Sequence, residues 1–452
     1  MPSIVDQQRA FFQQGSTLSY QARINALNRF DQGLRQCEDD IVKALYNDFQ
    51  KSAFESFTTE FTMLYEEISR TKRLLKSWMK PQKVRTNWIN WPATSAILRE
   101  PLGVNLIIGA WNYPVLLLLQ PAVSAIAAGN TAVLKPSENA PNVAQALEDM
   151  INSRFDASHL KVVQADAQGT EKLLELRWDH IFYTGSTAVG RIVYKAAAKQ
   201  LTPVTLELGG KSPAIITESA DLKLTAKRLI WGKFLNAGQT CVAPDYVMVH
   251  RAVREEFLAT CVKEIEKNNY RLGQNQYCQI INERHFDRLE ALIDRKKVFF
   301  GGEIDRTTRY MGPTIMVDVT LSDAVMKEEI FGPILPVIAY DEIDEALTFI
   351  KQLEKPLAAY VFSNKSIEYQ SILSQLSFGG GAVNDVVMHL TNPHLPFGGV
   401  GHSGIGAYHG HHGLDCFSHK KSVLYKKNWF EAPLKYPPLT DKKLKWIKKI
   451  MK

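Results

Sequence analysis

The chain has 452 residues, more than one ordinary hydrophobic core accommodates, and its 45% hydrophobic and 22% charged residues are the proportions of a globular protein. The net charge of +7 is concentrated at one end: residues 420–452 hold eleven lysines against Glu431 and Asp441, which leaves −2 for the rest. A near-neutral body with a basic tail argues against a nucleic-acid-binding protein, whose basic groups would form a patch on the folded domain.

The Met-Pro-Ser-Ile start has no basic region followed by an apolar one, so no signal peptide is expected. The first 80 residues read as helical, with long mixed runs at 23–49 and 58–78. Residues 82–100, with Val84, Trp88, Ile89, Trp91, Ile97 and Leu98 among polar neighbours, suggest extended chain with a turn at Pro92. An alternating strand–helix pattern follows. Strands are expected at 104–108, 132–134, 162–163 and 181–183 and in a segment ending at Glu207; helices are expected at 115–128, 143–151 and 191–199. That is how a parallel sheet covered by helices reads in sequence, and it predicts an α/β, Rossmann-like domain. The apolar stretch 102–134 is interrupted by Asn105, Asn112, Pro114, Gln120, Pro121 and Asn130 and suits a buried strand and helix better than a membrane span. After Gly209-Gly210 a second region has its own helices and strands to about residue 395. Dense glycines lie at its end, at 379–381 and 398–406.

Five cysteines (37, 241, 261, 278 and 416) form no CxxC pair. Without an export signal this predicts free thiols in a reducing cytoplasm. The histidines at 402, 409, 411, 412 and 419 lack an HxxxH pattern and acids at ligand spacing, so no metal site is expected.

Gly185-Ser-Thr-Ala-Val-Gly190 lies between a strand and a helix, where backbone N–H groups at a helix N-terminus suit a pyrophosphate. The spacing is not GxGxxG, and a plain junction reads the same way. An acid about 20 residues on would bind ribose in a generic Rossmann unit, and Glu207 satisfies that spacing. Lys135-Pro-Ser-Glu138 offers an alternative grip on the adenosine ribose that leaves Glu207 free; Ser137 there is equally an N-cap. Cys241, preceded by Gly-Gln-Thr, lies on a bend where backbone N–H groups can face a ligand. A thiolate attacking an aldehyde carbon leaves an oxyanion that needs donors, and the Asn112 amide in Trp111-Asn-Tyr-Pro114 is one that cannot titrate away. Hydrolysis of the resulting thioester needs a base for water, a role Glu207 could fill. Singly, each of these residues is as readily a buried cysteine, a turn asparagine and a salt-bridged glutamate.

Together, Thr205-Leu-Glu-Leu-Gly-Gly-Lys211, Gly238-Gln-Thr-Cys241, Trp111-Asn-Tyr-Pro114, Lys135-Pro-Ser-Glu138 and Glu329-Ile-Phe-Gly-Pro333 resemble the aldehyde dehydrogenase superfamily, in the same order along the chain. Cys-Val-Ala-Pro-Asp-Tyr246, Leu395-Pro-Phe-Gly-Gly-Val-Gly401, Ala407-Tyr-His-Gly410 and Phe417-Ser-His419 carry a narrower resemblance to its class 3 branch, which includes the fatty aldehyde dehydrogenases. The resemblance implies Cys241 as nucleophile, with its own N–H and Asn112 as the oxyanion hole, and Glu207 as base. It implies Lys135 and Glu138 on the adenosine ribose, Ser186 on the pyrophosphate beside Gly185 and Gly190, and Glu329 and Phe331 on the nicotinamide ribose and ring. Tyr113, Trp231 and His409 would line the substrate pocket, His409 at its rim. The cofactor would be NAD, since a carboxylate at Glu138 repels a 2′-phosphate, with NADP also accepted in the branch.

The implied organisation is a cofactor-binding domain (1–81 and 101–208), a catalytic domain (209–413), β bridging strands (82–100 and 414–430) that join a homodimer, and a basic tail (431–452). Residues 441–452 place Leu444, Ile447, Ile450 and Met451 on one helical side with lysines around it and Trp446 beside it. A peripheral membrane contact and a frayed, solvated terminus both fit such a segment. The expected reaction is NAD(P)-dependent oxidation of medium- or long-chain aliphatic or aromatic aldehydes to carboxylic acids. A CoA-acylating enzyme and a catalytically silent binding protein of the same fold are the alternatives; Glu207 speaks against the first and the intact Cys241, Asn112 and Glu207 against the second.

Overall fold

The structure is a computed structural model and describes residues 3–273 and 277–451. Contacts divide the chain into two units, a large one running to residue 78 and from 101 to 418, and a small one of 79–100 with the residues from 419 onward.

The large unit begins with helices Ile4–Gln13, Tyr20–Gln36, Glu38–Phe49 and Thr62–Trp78, as the mixed runs predict. Its first sheet contains five parallel strands: β1 (Val104–Ile108), β2 (Thr131–Lys135), β3 (Leu160–Val162), β4 (His180–Thr184) and β5 (Val204–Glu207), in the order β5-β4-β1-β2-β3. Val104, Leu106, Ile108, Val133, Ile181 and Leu206 belong to one buried cluster, and burial of each such side chain contributes about 1.5–3 kcal/mol. The register aligns Ile108 with Lys135 and with Tyr183, and Thr184 with Glu207, so the carboxyl ends of four strands finish side by side. Strand order reverses beside β1, and the crevice outside the carboxyl ends at such a point is where open α/β sheets bind ligands. The apolar run after β1 becomes the buried helix Leu116–Ala128; among the described residues, no helix is long and apolar enough to cross a membrane.

The second sheet has seven strands: β6 (Pro213–Ile216), β7 (Tyr246–His250), β8 (Val298–Phe300), β9 (Thr314–Val317), β10 (Ile334–Tyr340), β11 (Ala358–Phe362) and β12 (Gly380–Val383). Their order is β8-β9-β10-β7-β6-β11-β12, parallel except at the β8–β9 edge. A short strand, β13 (Gly404–Ile405), returns to the first sheet and pairs antiparallel with β5, placing Gly404 opposite Glu207.

Two local expectations are corrected. The helix expected at 191–199 spans Thr187–Ala198, because Ser186 is its N-cap and accepts from Val189 N at 3.4 Å. A short polar residue, rather than the glycines around it, gives the start signal. Residues 414–417, expected in the bridging segment, finish the helix Gly410–Cys416, and Phe417 is buried against His180 and Phe182.

In the small unit, Gln82–Val84 pairs antiparallel with Ala93–Pro101, which neighbours Ser418–Lys426. Lys421 pairs with Glu100, and Trp91 packs 5.3 Å from both Trp429 and Phe430. The terminal helix is Asp441–Ile450, with Thr440 as N-cap; Lys452, the end of the expected amphipathic segment, lies outside the described residues. Leu444, Trp446, Ile447, Ile450 and Met451 are 40–67% exposed.

Candidate active site

Cys241 lies on the loop between the helix Leu222–Phe234 and β7, and the loop is held in an unusual backbone shape. Asn236, Ala237 and Gly238 are all left-handed, with φ of 53°, 52° and 73°. For a residue with a Cβ that conformation costs about 1–2 kcal/mol and persists only where surrounding contacts impose it. Those contacts are on hand. Asn236 Nδ2 donates to the carbonyls of Asn112 (2.9 Å) and Gln239 (3.1 Å). Gln239 Nε2 donates to the Asn236 and Gln279 carbonyls, and its Oε1 accepts from Ile281 N at 3.0 Å. A side chain at Gly238 would collide with the Gly332 carbonyl. The cysteine is thereby fixed with its own N–H and that of Val242 directed at the sulfur. Burial, then Glu329 and Glu207, push the thiol up to about 12, so the resting group is neutral.

Asn112, on the loop leaving β1, is buried and donates from Nδ2 to the Gln239 carbonyl at 3.1 Å. The neighbouring Tyr113 hydroxyl lies 2.6 Å from Thr240 Oγ1. Two sheets therefore bring Asn112 and Cys241 to one place, joined through Asn236 and Gln239. Glu207, the last residue of β5, is 2% exposed and neither carboxylate oxygen has a protein partner. Burial holds this carboxyl well above the usual range. A buried, unpaired carboxyl is costly to keep, and such groups cluster at functional sites.

Glu329 and Phe331 precede β10, the neighbour of β7. Burial, then Asp245, push the Glu329 carboxyl up to about 8, and Gly210 N donates to it. A Cβ at Gly209 would fall on that carboxylate. Phe331 is itself left-handed, at φ 51°, with its ring edge-on to Trp111 at 5.2 Å. At the other end of the crevice, Lys135 Nζ lies 2.5 Å from Glu138 Oε2. Desolvation raises the Glu138 carboxyl, but the bond from Lys135, its own backbone N–H and the lysine charge together outweigh it and leave the group below its ordinary value. At Gly185 a side chain would strike the Tyr183 hydroxyl. Gly190 lies in the first helical turn, and a Cβ there would press on Leu208, so its bareness serves helix–sheet packing.

This donor set fits a dinucleotide: an amine and a carboxylate for vicinal hydroxyls, a capped helix N-terminus beside a bare Gly185 for phosphates, and a second carboxyl over bare Gly209. The three expected pocket residues differ in setting. Tyr113 is buried against the Cys241 loop, and Trp231 is 40% exposed on its helix. His409 was expected at the rim but is 4% exposed, stacked flat on Phe397 at 4.9 Å, and burial lowers it to about 3.

Sequence reasoning quoted Asn236 and Gln239 only as motif letters and missed Lys51, Glu55 and Glu60. Glu60 sits in a run of mixed helical character and Lys51 and Glu55 in the gap before it, places where charges ordinarily face solvent. Here Lys51 and Glu60 are fully buried and paired at 2.9 Å.

Residues 2–423 match the model of the aldehyde dehydrogenase family. The chain belongs to that family. It is 43% identical over 451 residues to the 4,4'-diaponeurosporen-aldehyde dehydrogenase of Staphylococcus aureus, covering 98% of this chain and 97% of the relative. It is 44% identical over 441 residues to the dimeric NADP-preferring aldehyde dehydrogenase of Mus musculus, covering 96% and 97%. The structure described as the substrate-bound state of Staphylococcus aureus AldH superposes with a TM-score of 0.97 at 42% identity, over the full length of both chains. The narrower match is to the family 3 members. This aldehyde dehydrogenase is an NAD(P)-dependent oxidoreductase that converts aldehydes to acids, on the α/β fold with a small antiparallel bridging sheet that the sequence predicts.

Proposed function

We propose that this aldehyde dehydrogenase works by covalent catalysis through Cys241, with Asn112 and the Cys241 N–H holding the oxyanion and Glu207 activating water. The arrangement that carries the reading is the Asn112–Gln239–Asn236 linkage to the cysteine loop, beside a buried carboxyl without a partner. The Cys241 thiol releases its proton to solvent as the sulfur bonds to the aldehyde carbon, and the former carbonyl oxygen takes the negative charge between the Asn112 amide and the backbone N–H. A nicotinamide held near Glu329 and Phe331 would supply the acceptor for the two electrons and one hydrogen that oxidation removes. A thioester on Cys241 remains. Glu207 takes a proton from water, the hydroxyl oxygen adds to the thioester carbon, and the C–S bond breaks to release the acid as the sulfur regains a proton.

Lys135 and Glu138 would hold the adenosine ribose, Ser186 the pyrophosphate and Glu329 the nicotinamide ribose, with Phe331 against the ring. The Glu138 carboxylate favours NAD, with NADP also used. The same reading makes the protein a homodimer joined through the bridging sheet, acting on medium- or long-chain aliphatic or aromatic aldehydes. It works in the cytoplasm, which its five free cysteines suit, with the basic terminal helix resting on an anionic membrane surface.

The test is NADH formation from an aldehyde chain-length series by wild type, Cys241→Ser and Glu207→Gln. The serine variant should bind NAD but lose nearly all oxidation, and the glutamine variant should stop at the thioester with kcat reduced about 10²–10⁴-fold. A normal steady-state rate in Glu207→Gln refutes the base assignment. A requirement for CoA, with acyl-CoA as product, overturns hydrolysis.

A further inference from the structure

The Asn112 and Cys241 loops come from different sheets, yet an oxyanion site needs their donors placed within a few tenths of an ångström. A third segment, far from both in sequence, grips each loop. Glu60 Oε2 accepts from Val115 N at 2.8 Å and Leu116 N at 3.2 Å, just beyond Asn112. Its other oxygen is paired with Lys51 Nζ, which sits 4.4 Å over the Tyr113 ring. Glu55, between them in sequence, accepts from Asn236 N at 2.8 Å.

That last bond has a specific mechanical meaning. The helix before the cysteine loop ends at Phe234, and at φ 53° the Asn236 N–H points out of any helical ladder. Without an acceptor it would be a buried orphan donor, a cost of about 1–3 kcal/mol. With Glu55 in place, Asn236 is held so that both hydrogens of its amide are used, one on the Asn112 carbonyl and one on the Gln239 carbonyl. The Asn112 amide then donates to that same Gln239 carbonyl, and the two loops are closed into one ring of bonds. Asn236 Oδ1 accepts from the Cys278 thiol at 3.4 Å, which occupies its remaining face.

We propose that Glu55 is a positioning residue for the acylation half of the reaction, setting the Asn112 and Cys241 loops in register through Asn236. The proposal rests on the assignment of Asn112 and Cys241 given above. Glu55 touches neither substrate nor cofactor in this scheme. Its Oε1 accepts a single backbone N–H, so a glutamine oxygen of the same shape can replace it. Glu207 stands on β5 and is not part of the ring, so thioester hydrolysis is outside its reach.

The experiment compares Glu55→Leu, Glu55→Ala and Glu55→Gln with wild type in the full-length enzyme. Three quantities are read: single-turnover NADH formation with enzyme in saturating excess over the aldehyde, NAD affinity, and the rate and stoichiometry of Cys241 alkylation by iodoacetamide without cofactor. Glu55→Leu should slow single-turnover oxidation at least tenfold and shift the alkylation rate at least threefold, with NAD affinity within twofold and one reactive thiol per chain. Glu55→Gln should restore both rates to within threefold of wild type. Glu55→Ala, which leaves room for a water in place of the carboxyl, should fall between and serves if the leucine variant does not fold. An unaltered rate constant in the leucine or alanine variant overturns the proposal, as does a glutamine variant as slow as leucine, or a loss confined to the number of reactive sites. Cys241→Ser separates the two layers. If it oxidises aldehyde normally, the underlying assignment falls; if it is inactive while Glu55→Leu is fast, only the positioning role falls.

Discussion

Lys211 and Asp245 form a buried ion pair, and the second Asp245 oxygen accepts from Ile330 N at 2.9 Å, one residue from Glu329. Lys211 also donates to the Val325 and Glu328 carbonyls. One buried lysine thus ties β6, the approach to β7 and the Glu329–Phe331 loop together.

Lys211→Met should therefore do two things. Removing one partner strands the Asp245 charge, and breaking such buried pairs costs about 3–5 kcal/mol. Urea unfolding should show that loss, and the KM for NAD should rise more than kcat falls, because the loop carrying Glu329 loses its tether. A variant of wild-type stability and unchanged KM would dissociate the pair from cofactor binding.

Glu207 makes a prediction about stability that is opposite in sign to the one for activity. Burial favours its neutral form, while the unfolded chain ionises near the ordinary carboxylate value of about 4.3. The folded state binds the extra proton, so stability from this group is fully present below that value and is lost as pH rises toward the folded pKa. Glu207→Gln should melt above wild type at pH 8, with the difference vanishing near pH 4, even as turnover collapses. Thermal unfolding at pH 4, 6 and 8 checks this; equal melting temperatures throughout would contradict it.

Glu138 is exposed and paired with Lys135 at 2.5 Å. Glu138→Gln frees the lysine and removes a negative charge from the place where a 2′-phosphate would lie. The kcat/KM ratio of NADP to NAD should rise about tenfold, an amount equal to roughly 1.4 kcal/mol. No change in that ratio would place the adenosine ribose elsewhere.

The terminal helix offers Leu444, Trp446, Ile447, Ile450 and Met451 beside lysines 442, 443, 445, 448 and 449. Deleting 441–452 should abolish sedimentation with vesicles containing anionic lipid and leave kcat on a short aldehyde unchanged. Binding of the intact chain to neutral vesicles alone, or to none, refutes an electrostatic contact.

The first parallel sheet was legible because its strands are short apolar runs set between helices, as in Val104–Ile108; for the second region only the presence of helices and strands was read, and strands such as Ala358–Phe362 were not placed. Cys241, Asn112 and Glu207 were legible through motifs, and the ends of β1 and β5 bring two of them to one crevice. That a Cβ at Gly190 would press on Leu208 was not legible, because a glycine that lets a helix approach a sheet looks the same in sequence as one that opens a loop. The burial of His409 depends on its stacking with Phe397, which periodicity does not report. Lys51, Glu55 and Glu60 were invisible for a related reason: a charge becomes buried only when a distant partner satisfies it, and those partners lie at 115, 116 and 236.

The step from β5 to β6 is short. Six Cα–Cα intervals separate Glu207 from Pro213, at most about 20 Å when fully stretched. Gly209 and Gly210 lie within it, the first bare beneath Glu329 and the second 3.2 Å from the Pro356 backbone if it carried a Cβ. The segment is a short leash with no room for beads. Remodelling this enzyme for bulkier aldehydes will have to spare these few residues, since a side chain at 209 or 210 would meet the Glu329 carboxylate or the Pro356 backbone.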